Sequence, residues 1–422
     1  MSDMSDFVVK SGAAVKLGKV EGELKVGRNV TIAAESGDKV VVTGGAHFEG
    51  PVRIDCDFEC ASMTVEGKGF GPGGDVVVLG DLTVHGAADL NASVRVEGVV
   101  RCDELDVGGH FESSALTSGR VRVGGHMKIK GRLESKTVDV GGHMSVSDAV
   151  NITDLRVGGH AEVGGGSISG EIKVRGHFKT TRKLTYGQLK VFGNMVFPAG
   201  CVGESLAALG RVEFDGDTTC RALNVKGSAW VKGNCTSENV EVNGKLDVNG
   251  SLTSKKLEIL GTTEVKGQLV SDAVRVGGRL VADRVLANEK IEIVGEVLTT
   301  KGVKAKTAII GRGSRVSGQI VGDQIDVGKE IEIADFSGGV WEQISPGRWS
   351  TIGKMTRVDD VYGKVVKIWR YSRAKKVFAE SVEMGVDAMA DKVVYTNDLV
   401  LPSRYRIEEQ ATKATRLPDP PL

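Results

Sequence analysis

The sequence predicts an all-β fold: a single long, three-sided parallel β-helix, a solenoid with rungs of about 17 residues. Three observations predict it. An apolar column recurs at a fixed step, a glycine column keeps pace with it, and the residues between alternate apolar and polar. The first column runs Val121, Val138, Leu155, Ile172, Leu189, Leu206, Leu223, Val240, Leu257, Val274, Ile291, Ala308, Ile325, with no polar member and no insertion. Two positions on, Val123 opens a second column that stays apolar to Val327. Four positions on, every residue from Gly125 to Gly295 is glycine, and only Arg312 and Lys329 break the series.

Each part of a rung follows from this pattern. In Val138-Asp139-Val140-Gly141-Gly142-His143-Met144-Ser145-Val146 the apolar residues fall at alternate positions, the signature of strands with one buried face. Parity therefore places Val138, Val140, Val157, Val174 and Val242 inside and Asp139, Arg156 and Glu241 outside. The glycine stands between two short strands, where a corner needs a positive φ or a backbone without Cβ. A third apolar column follows: Leu133, Val150, Leu184, Cys201, Cys235, Leu252, Leu269, Leu286, Val303 and Ile320. Three strand faces and three corners make one rung. No long pattern of helical period interrupts them, so helix content should be near zero.

Composition agrees. Glycine is 58 of 422 residues, about twice the usual share, and no Gly-X-Y period exists to suggest collagen. Hydrophobic residues reach 40% but aromatics only 5%, which predicts a narrow aliphatic core and excludes general disorder. The repeat extends less regularly upstream through Leu105-Asp106-Val107-Gly108-Gly109-His110 and Val94-Arg95-Val96-Glu97-Gly98. The expected organisation is an N-terminal segment 1–14, a regular β-helix 15–336, an irregular aromatic-rich β-helix section 337–404 and a proline-containing tail 405–422. Trp341, Trp349 and Trp369 mark the third section.

Charge and targeting narrow the functional classes. Lys+Arg and Asp+Glu both number 55, so no global field draws in nucleic acid or an anionic membrane, and self-association is permitted. The opening MSDMSDFVVK has neither a basic stretch nor an apolar one, and no apolar run is long enough to span a bilayer. A cytoplasmic location with reduced thiols is expected for the six cysteines.

Candidate chemistry is sparse. His110, His126, His143, His160 and His177 share one column, each following the glycine corner and preceding an inward residue, so they should form an outward imidazole ladder. A stacked polar ladder, a pH-responsive stripe and a metal stripe are the alternatives. A single column in line cannot surround an ion tetrahedrally. Asp106, Arg122, Asp139 and Arg156 alternate in sign along another column, as cross-strand pairing would require. Cys201 and Cys235 lie in a core column, and Cys56 and Cys60 lack the second pair of a zinc ribbon. Lys364, Lys367, Arg370, Arg373, Lys375 and Lys376, with Trp369 and Tyr371, form a basic-aromatic run that alternation splits between two faces. Gly164-Gly165-Gly166 has no phosphate-loop lysine. The hexapeptide acyltransferases need glycine three times per rung, whereas this column has it once. No cofactor, metal or catalytic residue is expected.

The 17-residue rung, the V-x-V-x-G core with small corners and the proline-bearing C-terminal tail resemble the bactofilins, polymer-forming cytoskeletal β-helix proteins. The resemblance covers most of the chain, although this chain has more rungs than the usual bactofilin core and no apolar N-terminal anchor. It implies a right-handed helix and filaments assembled end to end without nucleotide. Both ends of a β-helix expose unpaired N–H and C=O groups that must be capped or joined. The expectation is therefore a structural scaffold, not an enzyme, whose partner is itself. Neither nucleic acid nor a membrane surface is indicated. Its polymer interface would lie at Phe7, Val8 and Val9 or at Trp341, Trp349 and Trp369. The alternative is a non-polymerising β-helix that binds a carbohydrate or envelope partner along its side.

Overall fold

A computed structural model of the chain describes residues 6–66, 76–331 and 355–421. Among these residues there is no helix; the regular structure is parallel β-strand stacked about 17 residues apart, a β-solenoid. The chain divides into two units, Met1–Leu206 with Gly210–Val212, and Ala207–Leu209 with Glu213–Leu422.

The first unit shows how a rung is built. β1 (Phe7–Val9), β2 (Ala14–Leu17) and β3 (Lys19–Val20) form the first described rung. β4 (Leu24–Val26), β5 (Val30–Ala34) and β6 (Lys39–Val42) form the second, and β7 (Gly45–Phe48), β8 (Val52–Ile54) and β9 (Asp57–Cys60) the third. Each strand pairs in parallel with the strand three places on: β1 with β4 and β4 with β7, β2 with β5 and β5 with β8, β3 with β6 and β6 with β9. That is the three-sided arrangement the periodicity predicts. Among the described residues stacking begins at Phe7, inside the segment expected to precede the solenoid. Leu24 pairs with Ala46 and Met63 with Ala88, so the step in these early rungs is longer than 17 residues. The longer step leaves the faces in register and makes the repeat read less cleanly there.

Both long apolar columns are buried throughout, from Val121 and Val123 to Ile325 and Val327. Val138, Val140, Val157, Val174 and Val242 are all within 2% of full burial, and Asp139 and Arg156 are exposed. Glu241 is half-buried instead, because the amides of Asn224 and Asn243 donate to its carboxylate at 2.8 and 2.7 Å. The core is less purely aliphatic than composition suggests. Phe48, Phe58, Phe111, Phe178, Phe197, Phe214 and Tyr186 are among its largest buried side chains. The Tyr186 ring fills the space that Gly203 leaves, where any Cβ would collide with it. Inward serines are satisfied locally: Ser118, Ser135, Ser237 and Ser271 each donate to the carbonyl two residues on. Leu286 departs from expectation. A register shift after Val265 seats Val285 beneath Leu269 and turns Leu286 outward, as a one-residue slip must.

The glycine column owes its strictness to close approach. Among the described residues, positive φ falls on glycines such as Gly12, Gly165 and Gly166, and not on Gly142 or Gly159. A Cβ on Gly142 would instead stand on the carbonyl oxygen of Gly125, one rung back, and a Cβ on Gly159 on that of Gly142. The same oxygens accept the backbone N–H groups of His143 and His160 at 2.9 Å. Corner is packed on corner with no room for a side chain.

In the second unit the described part of the section expected to be irregular is an ordered stack. Strands Thr356–Ile368, Ser372–Met384 and Ala388–Val400 pair in parallel along most of their length, on a step one residue shorter than 17 that is restored by a register shift after Ala379. Tyr405–Ile407 and Thr412–Lys413 both pair with Ala388–Val400, so stacking continues into the expected tail.

Candidate functional site

In the first described rung Val9, Leu17 and Val20 are buried, and Phe7 is the inward side chain left exposed. Phe7 sits over Leu24 and Val9 over Val26, as members of the inward columns. Leu24 and Val26 are buried, yet Phe7 is 44% exposed. Among the described residues nothing pairs with the other edge of β1. On its inner edge, the Phe7 N–H donates to the Glu23 carbonyl at 2.8 Å and the Gly27 N–H to the Val9 carbonyl at 2.9 Å. A 2.6 Å ion pair between Lys25 and Asp6 holds the start of the strand. Val8 differs from its neighbours. It is in register with Lys25 and points out of the side of the solenoid and not into an inward column.

The aromatic candidates in the second unit separate. Trp341 and Trp349 lie outside the described residues. Trp369 follows strand Thr356–Ile368, with further rungs stacked beyond it, and therefore occupies a corner on the side. It is 42% exposed, and its indole N–H donates to Asp326 at 3.1 Å. The last described strands present Tyr405, 46% exposed, instead. The basic run is largely neutralised: Lys364 pairs with Asp323, Lys367 with Glu383, Arg370 with Glu330, Arg373 with Asp391 and Lys375 with Asp359. Arg312 lies over the Tyr371 ring at 5.6 Å.

The five histidines stack in register as expected, and their rings face solvent or are half-buried. Ring centroids are 4.7 Å apart for His110–His126, 5.7 Å for His126–His143, 4.7 Å for His143–His160 and 4.9 Å for His160–His177. Among the described residues no group of three or more His, Cys, Asp or Glu is placed to hold a metal ion. His160 titrates below the usual 6.5 of an imidazole, first because burial penalises its charge and then because His143 and His177 flank it; Glu162 opposes the shift and Lys179 adds to it. The folded chain thus binds this proton less readily than the unfolded chain. Stability from the neutral ring is complete above about pH 6.5 and is lost as pH falls towards the lowered folded value. Denaturant midpoints are expected to drop between pH 8 and pH 5. His160→Asn, which installs the residue that Asn194 supplies at the end of the column, should flatten that slope. Equal slopes for both chains would remove the ladder as its source.

All six cysteines are buried and free. Burial pushes the Cys60 thiol up to about 12 and those of Cys102 and Cys220 to about 11. Cys56, Cys201 and Cys235 are raised for the same reason. At pH 8 a thiol reagent is expected to modify the folded chain at a small fraction of the rate seen after denaturation. Rapid labelling of any one cysteine in the folded chain would contradict this.

Sequence reasoning missed one outward pair, Tyr362 and Phe378, which the shortened step brings together with ring centroids 4.9 Å apart. The signal was a change of period in the last rungs. Among the described residues no helix is long and apolar enough to cross a membrane. Comparison with protein-family models, with curated proteins and with solved structures returns no match.

Proposed function

We propose that the protein is a bactofilin-like structural scaffold that self-assembles end to end, without nucleotide and without catalysis. The observation that carries this reading is the first described rung. There an inward aromatic, Phe7, stands 44% exposed above a buried column, beside a strand edge with no partner among the described residues. A free edge of extended backbone over apolar side chains is a template for another strand. The balanced charge of the chain adds no long-range repulsion to oppose such joining.

The purified full chain should form filaments in negative stain, with or without ATP or GTP, and sediment as a concentration-dependent polymer. A monodisperse monomer at high concentration, with no filaments under either condition, overturns the proposal.

A further inference from the structure

Of the four tryptophans only Trp230 stands within the regular repeat. Its neighbours Ala229 and Val231 are buried, so strand parity turns it outward. It is in register with Asp247 on the next strand, and Asp247 with Glu264 on the one after. Neighbouring strands lie about 4.8 Å apart, so the short Asp247 leaves a notch between two longer side chains. A cavity of about 240 Å³ opens there, lined by Trp230, Asp247, Val248, Asn249, Glu264 and Lys266. Trp230 and Asp247 are half-buried, and Asn249, Glu264 and Lys266 are exposed.

The Lys245 ammonium lies over the Trp230 ring, 6.0 Å from its centroid. The indole therefore turns a face along the column towards the next rung, and the ammonium stands beyond van der Waals contact with it. The same ammonium pairs with Asp247 Oδ2 at 2.6 Å. Asp247 Oδ1 is buried and has no hydrogen-bond partner among the described residues. A buried carboxylate oxygen without a donor is costly, and a ligand that brings one removes the cost. Among the described residues Glu264 and Lys266 make no ion pair, and the Asn249 amide makes no hydrogen bond. Free acceptors and free donors thus stand side by side in the notch.

Charge and shape select the ligand class. The carboxylates of Asp247 and Glu264 are matched by the ammonium groups of Lys245 and Lys266, so the notch favours neither a cation nor an anion. An apolar ligand would cover Asp247 without giving it a donor. A pyranose meets each demand. Its C–H face packs on an indole, and its hydroxyls donate to carboxylates and accept from Lys266 and Asn249. The volume is below the roughly 300 Å³ at which sites for drug-sized ligands begin, which is room for one ring. We propose that Trp230, Asp247, Asn249, Glu264 and Lys266 form a subsite for one pyranose residue of a neutral glycan. The subsite is on the side of the solenoid and does not rest on end-to-end assembly.

Titration of the full chain with cellohexaose, maltohexaose and chitohexaose, read by calorimetry and by saturation-transfer NMR, tests it. At least one hexasaccharide should bind saturably, with a dissociation constant in the millimolar range. Trp230→Ala should weaken that binding about tenfold or more, and Asp247→Ala should weaken it as well. Trp230→Tyr keeps a ring at the same outward position and should retain most of the affinity, which separates loss of the ring from loss of the fold. Phe192→Ala, which removes a more exposed aromatic ring elsewhere, should leave binding unchanged. No saturable binding by any of the three sugars, or binding that survives Trp230→Ala, overturns the proposal. Choline bound in a Trp230-dependent way while the sugars fail would also overturn it, placing an organic cation in the notch instead.

Discussion

Gly142→Ala is expected to destabilise the chain by about 3 kcal/mol or more, whereas Gly141→Ala, one residue earlier, should cost less than about 1 kcal/mol. The difference is spatial. A Cβ on Gly142 lands on the carbonyl oxygens of Gly125 and Gly124, while a Cβ on Gly141 meets only the Val123 carbonyl oxygen at 3.6 Å, an ordinary contact. The Gly125 carbonyl cannot swing aside, because it accepts the His143 N–H at 2.9 Å. Relief would require opening the rung, and rung spacing is set by the backbone ladders on all three faces at once. The sequence repeats the same contrast. In the column of Gly141 the later rungs carry Arg175 and Phe192, and in the column of Gly142 they carry Gly176 and Gly193. Urea unfolding of the three chains, followed by far-UV circular dichroism, reads the effect. A Gly142→Ala midpoint equal to wild type would show that the corners are not in rigid contact.

Those two columns also show why so much of this fold was legible. In a solenoid the residue that is local in sequence and the residue that stacks on it share one pattern, so parity and register are a single signal. Val121 to Ile325 could be assigned to the core from the step alone. The reading failed where that identity breaks. Leu286 and Val285 are both apolar, and a register shift that exchanges them leaves no trace in composition. Around Ala46 and Ala88 the step is longer than 17 residues, which hides the repeat without disturbing the faces. Beyond Thr356 the step shortens, so Tyr362 and Phe378 did not fall into one column. The candidate site was less legible still. In the first described rung the inward Phe7 and the outward Val8 are both exposed, 44% and 63%, and only the pairing with β4 separates their roles. For glycine, sequence marked the corner but not its cause, and torsion and close contact became distinguishable once the Gly125 carbonyl was in view.

That separation of Phe7 from Val8 shapes the second large effect, on assembly. Phe7→Lys is expected to abolish filaments at concentrations where wild type polymerises, raising the critical concentration by about a hundredfold or more. A charge placed in an apolar junction without a partner costs several kcal/mol, and each 1.4 kcal/mol is roughly tenfold. The position matters more than the charge. Phe7 continues the column of Leu24, so its side chain is what an incoming rung would cover. Val8→Lys adds the same charge one residue away but points it out of the side, beside Lys25, where it should leave assembly intact. Phe7→Leu keeps an apolar surface and should also polymerise. Pelleting assays on the three variants, with negative-stain images of each, provide the readout. Loss of filaments in both lysine variants would mean that net charge, not the junction, governs joining. Filaments that survive Phe7→Lys would move the junction from the first rung to the last described one, where Tyr405 is the exposed aromatic.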